Sequence, residues 1–183
     1  MRQRGTKMLD ALVDAIVDHK LETLRRLLQA GANLNYICEG LPPIQWAALV
    51  ADAEYARLLL QFGADPNMLD STYGQNAAHK AADRSVEILD VLHMAGANLN
   101  LPDCTAMTPL MVAAKSGQMD LVRYLVEHGA NVRGVDRDRH SALHWSAVGG
   151  DFSDLNSYLI RAGADPAAVT VYGKTYSQIL VLR

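Results

Sequence analysis

The stretch Ala168-Val169-Thr170-Val171-Tyr172-Gly173-Lys174-Thr175 carries the spacing of a phosphate-binding loop, with alanine where the first glycine would stand. A loop of that kind points backbone N–H groups at phosphate oxygens from the start of a long helix. Only eight residues follow Thr175, so the expectation is a turn in which Gly173 and Thr175 serve the chain itself. Six histidines could supply a base or metal ligands, but His19, His79, His93, His128, His140 and His144 show no His-Glu-x-x-His spacing and no companion Cys-x-x-Cys. Asp136 and Asp138 lie beside Arg137 and Arg139 and read as a solvated charge cluster, not as carboxylates brought together across a cleft. Cys38 and Cys104 are too few for a disulfide framework and are expected as free thiols in a reducing compartment. These residues predict no catalytic group, no metal site and no cofactor, and therefore a protein that is not an enzyme.

Charge and hydropathy narrow the choice further. Seventeen basic and 20 acidic residues give a net charge of -3 with both signs mixed along the chain, which excludes the basic stripe of a nucleic-acid binder. Residues 1–20 carry Arg2, Arg4 and Lys7 but interleave Asp10, Asp14 and Asp18 among the apolar positions, so they lack the apolar run of a signal peptide. No window is long and apolar enough to span a bilayer. The expectation is a cytoplasmic protein, monomeric in isolation, that binds neither nucleic acid nor membrane. With 50% of its residues apolar, the chain can bury a sizeable core as one folding unit.

The elements that position these side chains are announced by repetition. Gly31-Ala32, Gly63-Ala64, Gly96-Ala97, Gly129-Ala130 and Gly163-Ala164 recur at spacings of 32, 33, 33 and 34 residues. Each is preceded by an apolar helical pattern, such as Leu58-Leu59-Leu60 or Leu121-Val122-Arg123-Tyr124-Leu125, and followed by a segment such as Asn33-Leu34-Asn35 or Asn98-Leu99-Asn100. Periods of this length mark repeat architectures.

The fourth period runs Asp103-Cys104-Thr105-Ala106-Met107-Thr108-Pro109-Leu110-Met111-Val112-Ala113-Ala114-Lys115-Ser116-Gly117 and closes on Gly129-Ala130-Asn131. It resembles the ankyrin repeat, as do Pro42-Pro43-Ile44 with Ala47-Ala48, Asn76-Ala77-Ala78-His79 with Ala81-Ala82, and Ser141-Ala142-Leu143-His144. The resemblance covers nearly the whole chain and implies an all-α ankyrin-repeat solenoid of stacked helix-turn-helix units with hairpin loops. One domain, 1–183, is expected, with repeats over about 8–35 as an N-terminal cap, 36–67, 68–100, 101–133, 134–167 and a partial sixth over 168–183. It also implies a structural hydrogen bond for His79 and His144 at the start of their helices.

The same features have a physical reading. Thr108 is placed to cap a helix and Pro109 is tolerated only in a helix's first turn. Ala113-Ala114 allow close helix approach. Gly129 can take the left-handed conformation that ends a helix. Trp46 and Trp145 share one inner register and are expected in the core. The third repeat gains a residue around Asp70 to Gly74 and loses one near Ser85, and the fifth gains one around Gly149 to Leu155; insertions in repeats map to loops.

The resemblance implies that partners meet the hairpin tips and the concave first-helix face. Leu41, Leu49, Val50 and Phe62 are apolar where register predicts exposure, which suggests an anchor flanked by Tyr73 and Met107 with a rim of Arg84, Lys115, Arg137 and Asp138. The expected function is a protein-protein interaction module, acting as adaptor, scaffold or stoichiometric inhibitor of another protein. The alternative is an enzyme or small-ligand-binding protein with a pocket in the groove, which would need converging ionisable groups in a deep cleft.

Overall fold

Helix ends explain the Gly-Ala period. The alanine N–H of each pair reaches back to a leucine carbonyl in the last turn: Ala32 to Leu27, Ala64 to Leu59, Ala97 to Leu92, Ala130 to Leu125 and Ala164 to Leu159, at 2.9 to 3.2 Å. The glycine between must turn left-handed for that bond to form, and Gly31, Gly63, Gly96, Gly129 and Gly163 have φ from 79 to 105°. The alanine then tucks inward, which fixes a small residue there.

The computed structural model describes residues 11–181. α1 is helical over 11–17. There follow α2 (Leu21–Gln29), α3 (Pro43–Val50), α4 (Ala53–Gln61), α5 (Ala77–Ala81), α6 (Val86–Met94), α7 (Pro109–Lys115), α8 (Met119–Glu127), α9 (Ala142–Gly149), α10 (Ser153–Arg161) and α11 (Tyr176–Val181). Among the described residues there is no strand beyond isolated bridges Cys38 to Leu41 and Val135 to Ser141, which pin hairpins. No helix among them is long and apolar enough to cross a membrane. Residues 8–10 of the first repeat, with Arg2, Arg4 and Lys7, lie outside the described residues.

The contacts gather into two compact units, Met1–Asn98 and Leu99–Arg183. In the N-terminal unit α3 packs on α4 and α5, and α6 on α4 and α5. Leu12, Ile16, Leu24, Ile44, Leu59, Ile88, Leu89 and Leu92 are its largest fully buried side chains. In the C-terminal unit α7 packs on α8 and α9, and α9 on α10 and α11, around Leu110, Met111, Leu125 and Leu143. Ala47, Ala48, Ala81, Ala82, Ala113 and Ala114 are wholly buried, as the close approach of neighbouring helices requires. In the fifth repeat Ser146 replaces the first alanine, and its hydroxyl donates to Leu143 O at 2.8 Å and bonds the buried Asn156 amide.

Successive repeats are clamped by the asparagine four residues after each helix-ending glycine. Asn35 donates to Gly63 O and accepts from Asp65 N; Asn67 does the same to Gly96 O and Asn98 N. In the C-terminal unit Asn100 clamps Gly129 O and Asn131 N. Arg133 takes the next position and donates from Nε to Gly163 O at 3.0 Å.

Helix starts vary. Asn76 and His79 form a reciprocal cap at α5, and His144 Nδ1 lies 2.8 Å from the Ser141 hydroxyl at α9. Thr108 corrects an expectation: it sits at the N-cap with extended backbone before Pro109, but its side chain makes no capping bond. The residue that reaches back in the other two repeats is a histidine; here it is Met111, which has no ring nitrogen to offer.

Candidate partner-binding surface

Four of the hairpins are held by one polar side chain seven residues after the helix-ending glycine, whereas Cys38 stands at that place in the first and is joined to Leu41 through backbone bonds. Asp70 Oδ1 accepts from the backbone N–H of Thr72, Tyr73 and Gly74 at 2.6 to 3.1 Å. Asp103 Oδ1 accepts from Thr105 N, Thr105 Oγ1 and Met107 N, and Asp136 Oδ1 from Asp138 N and His140 N. Thr170 Oγ1 plays the part in the last hairpin, accepting from Tyr172 N and Lys174 N at 3.3 Å. The phosphate-loop spacing is thus a hairpin closed on itself, with Thr170 N donating to Lys174 O.

The second carboxylate oxygen is served from one register on the following helix. Lys80 Nζ lies 3.0 Å from Asp70 Oδ2, and Trp145 Nε1 donates to Asp136 Oδ2 at 2.9 Å. Trp46, at the same register, donates to Cys38 O at 3.3 Å. Two sequence expectations change here. Trp46 and Trp145 are half-buried hairpin ties, not core residues. Asp136 is buried, because its oxygens are spent on its own loop, and only Asp138 remains solvated. Burial pushes the Asp70 carboxyl up, but the Tyr73 N–H, Lys80 and the Thr72 N–H together outweigh it and hold it below its ordinary value.

His79 and His144 are buried. His144 Nε2 lies 3.1 Å from Ala168 O, and burial holds this imidazole below its ordinary pKa despite that carbonyl. His140 is half-buried with Nδ1 3.4 Å from Asp136 Oδ1 and its ring 5.4 Å from Trp145. Cys38 is half-buried and Cys104 exposed. Among the described residues no group of His, Cys, Asp or Glu is arranged to hold a metal.

The expected anchor residues are placed as follows. In the N-terminal unit Leu41, Leu49 and Val50 are half-buried, not exposed as register predicted, while Phe62, Tyr73 and Arg84 are exposed. Leu41 precedes α3 and exchanges backbone bonds with Cys38, whereas Leu49 and Val50 end that helix. The eight residues of α3 span about 12 Å between the two groups. Only Ala51 and Asp52 join α3 to α4, so these helices run antiparallel. Phe62, which caps the end of α4, therefore lies toward the Leu41 end. The four are two groups, not one cluster. In the C-terminal unit Met107 is half-buried, and Lys115, Arg137 and Asp138 are exposed, with Lys115 Nζ 4.9 Å over the Trp145 ring.

Sequence reasoning missed a second set. Leu69, Val135 and Val169 each stand one residue before a hairpin anchor, Ile37 stands before Cys38 at the same register, and all four are 40 to 46% exposed. Their signal was available as an aliphatic residue six places after four of the five helix-ending glycines, with Pro102 at the remaining one. Val171 and Tyr172 extend this set at the last tip, 52 and 69% exposed.

The insertions have different fates. Asp70 N bonds Gln75 O, where Asp103 N bonds Met107 O and Asp136 N bonds His140 O, so the third hairpin is one residue longer and ends in exposed Tyr73. The fifth repeat's extra residue is packed inward. A Cβ at Gly149 would meet Lys115 O at 1.8 Å, and Phe152 lies against Gly117, where a Cβ would meet its ring at 2.4 Å.

The largest described cleft in the C-terminal unit, about 680 Å³, is bordered by Met119, Arg123, Asp154, Ser157, Ile160 and Arg161. Another of about 550 Å³ is bordered by Val135, Ser141, Asp165 and Arg133, the last already committed to Gly163 O.

A sequence profile described as ankyrin repeats (3 copies) matches residues 12–103 and 84–170. Cyclin-dependent kinase 4 inhibitor B of Rattus norvegicus is 38% identical over 116 residues, 62% of this chain and 88% of that protein. Cyclin-dependent kinase inhibitor 2A of Homo sapiens is 36% identical over 135 residues, 73% of this chain and 86% of that protein. Putative palmitoyltransferase ZDHHC13 of Danio rerio is 27% identical over 169 residues, 90% of this chain but 26% of that protein.

Proposed function

The chain belongs to the ankyrin-repeat family, and we propose that within it the protein is a non-enzymatic interaction module that acts by occupying the surface of a partner protein. The observation that carries this reading is how the polar groups are used. The buried carboxylates of Asp70, Asp103 and Asp136 hold their own hairpins, and the buried His79 and His144 tie helix starts. Among the side chains left to solvent are Phe62, Tyr73, Arg84, Lys115, Arg137 and Asp138. Catalysis needs ionisable groups poised toward substrate, and here the buried ones point into backbone.

Stoichiometric inhibition is the form supported by the relatives named as cyclin-dependent kinase inhibitors, which this chain matches over most of their length. The palmitoyltransferase match covers only about a quarter of that protein, so the similarity follows the repeat across proteins named for different activities. A kinase catalytic domain is therefore the first partner to assay. A cytoplasmic location suits this role.

The experiment is affinity capture from the native cell, followed by calorimetry with the purified partner. A one-to-one complex is expected, weakened about tenfold or more by Tyr73→Ala with Arg84→Ala and Lys115→Ala, since interface anchors contribute on this scale. Unchanged affinity in that folded variant would remove these residues from the interface. Turnover of a small molecule by the chain alone would overturn the reading.

A further inference from the structure

We infer that the hairpin edge of the C-terminal unit, formed by Val135, Arg137, Arg139, Val169, Val171 and Tyr172, binds an acidic segment of a partner protein that carries apolar side chains among its carboxylates. The inference rests on the interaction-module reading and specifies the chemistry of the partner.

Backbone bonds make this edge continuous. Arg137 N donates to Thr105 O at 3.0 Å and Val171 N to Asp138 O at 2.9 Å, so the tip at Arg137 is fastened to the tips on either side. The four apolar side chains are 40 to 69% exposed, an amount of exposed apolar surface that marks interaction sites when it is contiguous.

The charge on this edge is one-sided for a structural reason. The run Asp136-Arg137-Asp138-Arg139 looks balanced, but the Asp136 carboxylate is buried and accepts from Asp138 N, His140 N and Trp145 Nε1. That leaves Arg137, Arg139 and, on the neighbouring tip, Lys174 against Asp138 alone, all exposed. No ion pair engages these three cations among the described residues.

Arg139 adds an independent indication. Its φ is 63°, and the corresponding positions of other hairpins are Gly74 at 65°, Ala106 at 65° and Gly173 at 67°. An arginine in that conformation is strained where glycine is not. Its N–H closes the turn onto Asp136 O at 3.0 Å, but its exposed side chain makes no ion pair among the described residues, and a strained residue whose side chain the fold does not use is the kind retained for function. A carboxylate-rich segment would satisfy the two guanidinium groups, and apolar side chains between its carboxylates would cover the valines and Tyr172. A nucleic acid fits less well, since Asp138 stands between the arginines and would repel a phosphate backbone.

The test begins with selection of random displayed peptides on the intact chain. It continues with fluorescence anisotropy of a recovered peptide against wild type, Arg137→Ala with Arg139→Gly, and Tyr172→Ala. Expected are sequences rich in Asp and Glu beside aliphatic or aromatic residues. Replacing their acidic residues by amides, or using the double variant, should weaken binding about tenfold, and more so at low salt. Recovery of neutral or basic peptides, unchanged binding by the double variant, or preference for a single-stranded oligonucleotide over the acidic peptide overturns the inference and leaves the interaction-module reading standing. Recovery of no binder of any composition counts against both.

Discussion

Gln45 Oε1 is buried without a hydrogen-bond partner three residues after Pro42. Its amide nitrogen is well used, donating to Met68 O and Gln75 O. At the same register His79 Nδ1 lies 3.3 Å from Asn76 N, and His144 Nδ1 lies 3.2 Å from Ser141 N. Pro42 has no N–H, so the matching acceptor on Gln45 is left bare. Pro42 already has the extended backbone of an N-cap, φ -69 and ψ 153°, which serine adopts without strain. Pro42→Ser restores the donor and adds a capping hydroxyl. It is expected to raise stability by about 1 kcal/mol after the loss of proline's rigidity, read as a higher urea midpoint with an unchanged slope.

The His144 site makes stability depend on pH. Its folded pKa lies below the ordinary value, so as pH falls below about 6.5 the unfolded chain takes up a proton that the folded chain refuses. Stability is therefore full above that pH and declines on acidification down to the folded pKa. His144→Gln copies the Gln45 arrangement with Ser141 N available as donor. It should cost under about 1 kcal/mol at mildly alkaline pH and flatten the slope between neutrality and mild acid, measured by urea unfolding across that range.

Asp70 behaves in the opposite pH region. Its folded pKa is below that of the unfolded carboxyl, so its contribution is present above about pH 4 and is lost as pH falls through the folded value. Lys80→Met removes the cation 3.0 Å from Oδ2, which raises the folded pKa toward that of the unfolded carboxyl and so leaves less stability to be lost on acidification. At neutral pH the same change is expected to cost about 2 kcal/mol, the scale of an uncompensated buried polar group. Thermal unfolding at several pH values checks both effects.

Glycines of two kinds should respond differently to alanine. Gly129 has φ 84° and open space around it, so Gly129→Ala costs only the backbone strain, about 1 kcal/mol. At Gly149 the added Cβ would collide with the Lys115 carbonyl, and backbone must move. Gly149→Ala is expected to cost about 3 kcal/mol or more, with the two compared by denaturant midpoint.

Arg139→Gly relieves a left-handed arginine and should stabilise the fold by about 1 kcal/mol. A fall in melting temperature would show that Arg139 makes a contact the fold uses.

Much of the fold is legible in the sequence. The Gly-Ala pairs named the helix ends because a left-handed glycine and a small inward alanine are what that chain reversal demands. The extra residue in the third hairpin was legible by counting, and the Asp70 to Gln75 closure shows it. His79 and His144 were legible through the repeat register. The candidate surface was less so. Leu41, Leu49 and Val50 are apolar at positions where register predicts exposure, but how far each is covered depends on neighbours that the register does not include.

What the sequence by itself determined is the local geometry: where the helices stop and how long each hairpin is. Those follow from hydrogen bonds and steric limits between residues a few positions apart. Only the tertiary structure decided that Asp136 is buried while Asp138 is free, that Trp145 ties a hairpin, that Arg139 is held left-handed, and that Phe152 lies on Gly117. Exposure and partner choice arise from packing and folded-back loops, and the inter-repeat contacts join residues about 30 positions apart, a distance over which composition and periodicity carry no directional information.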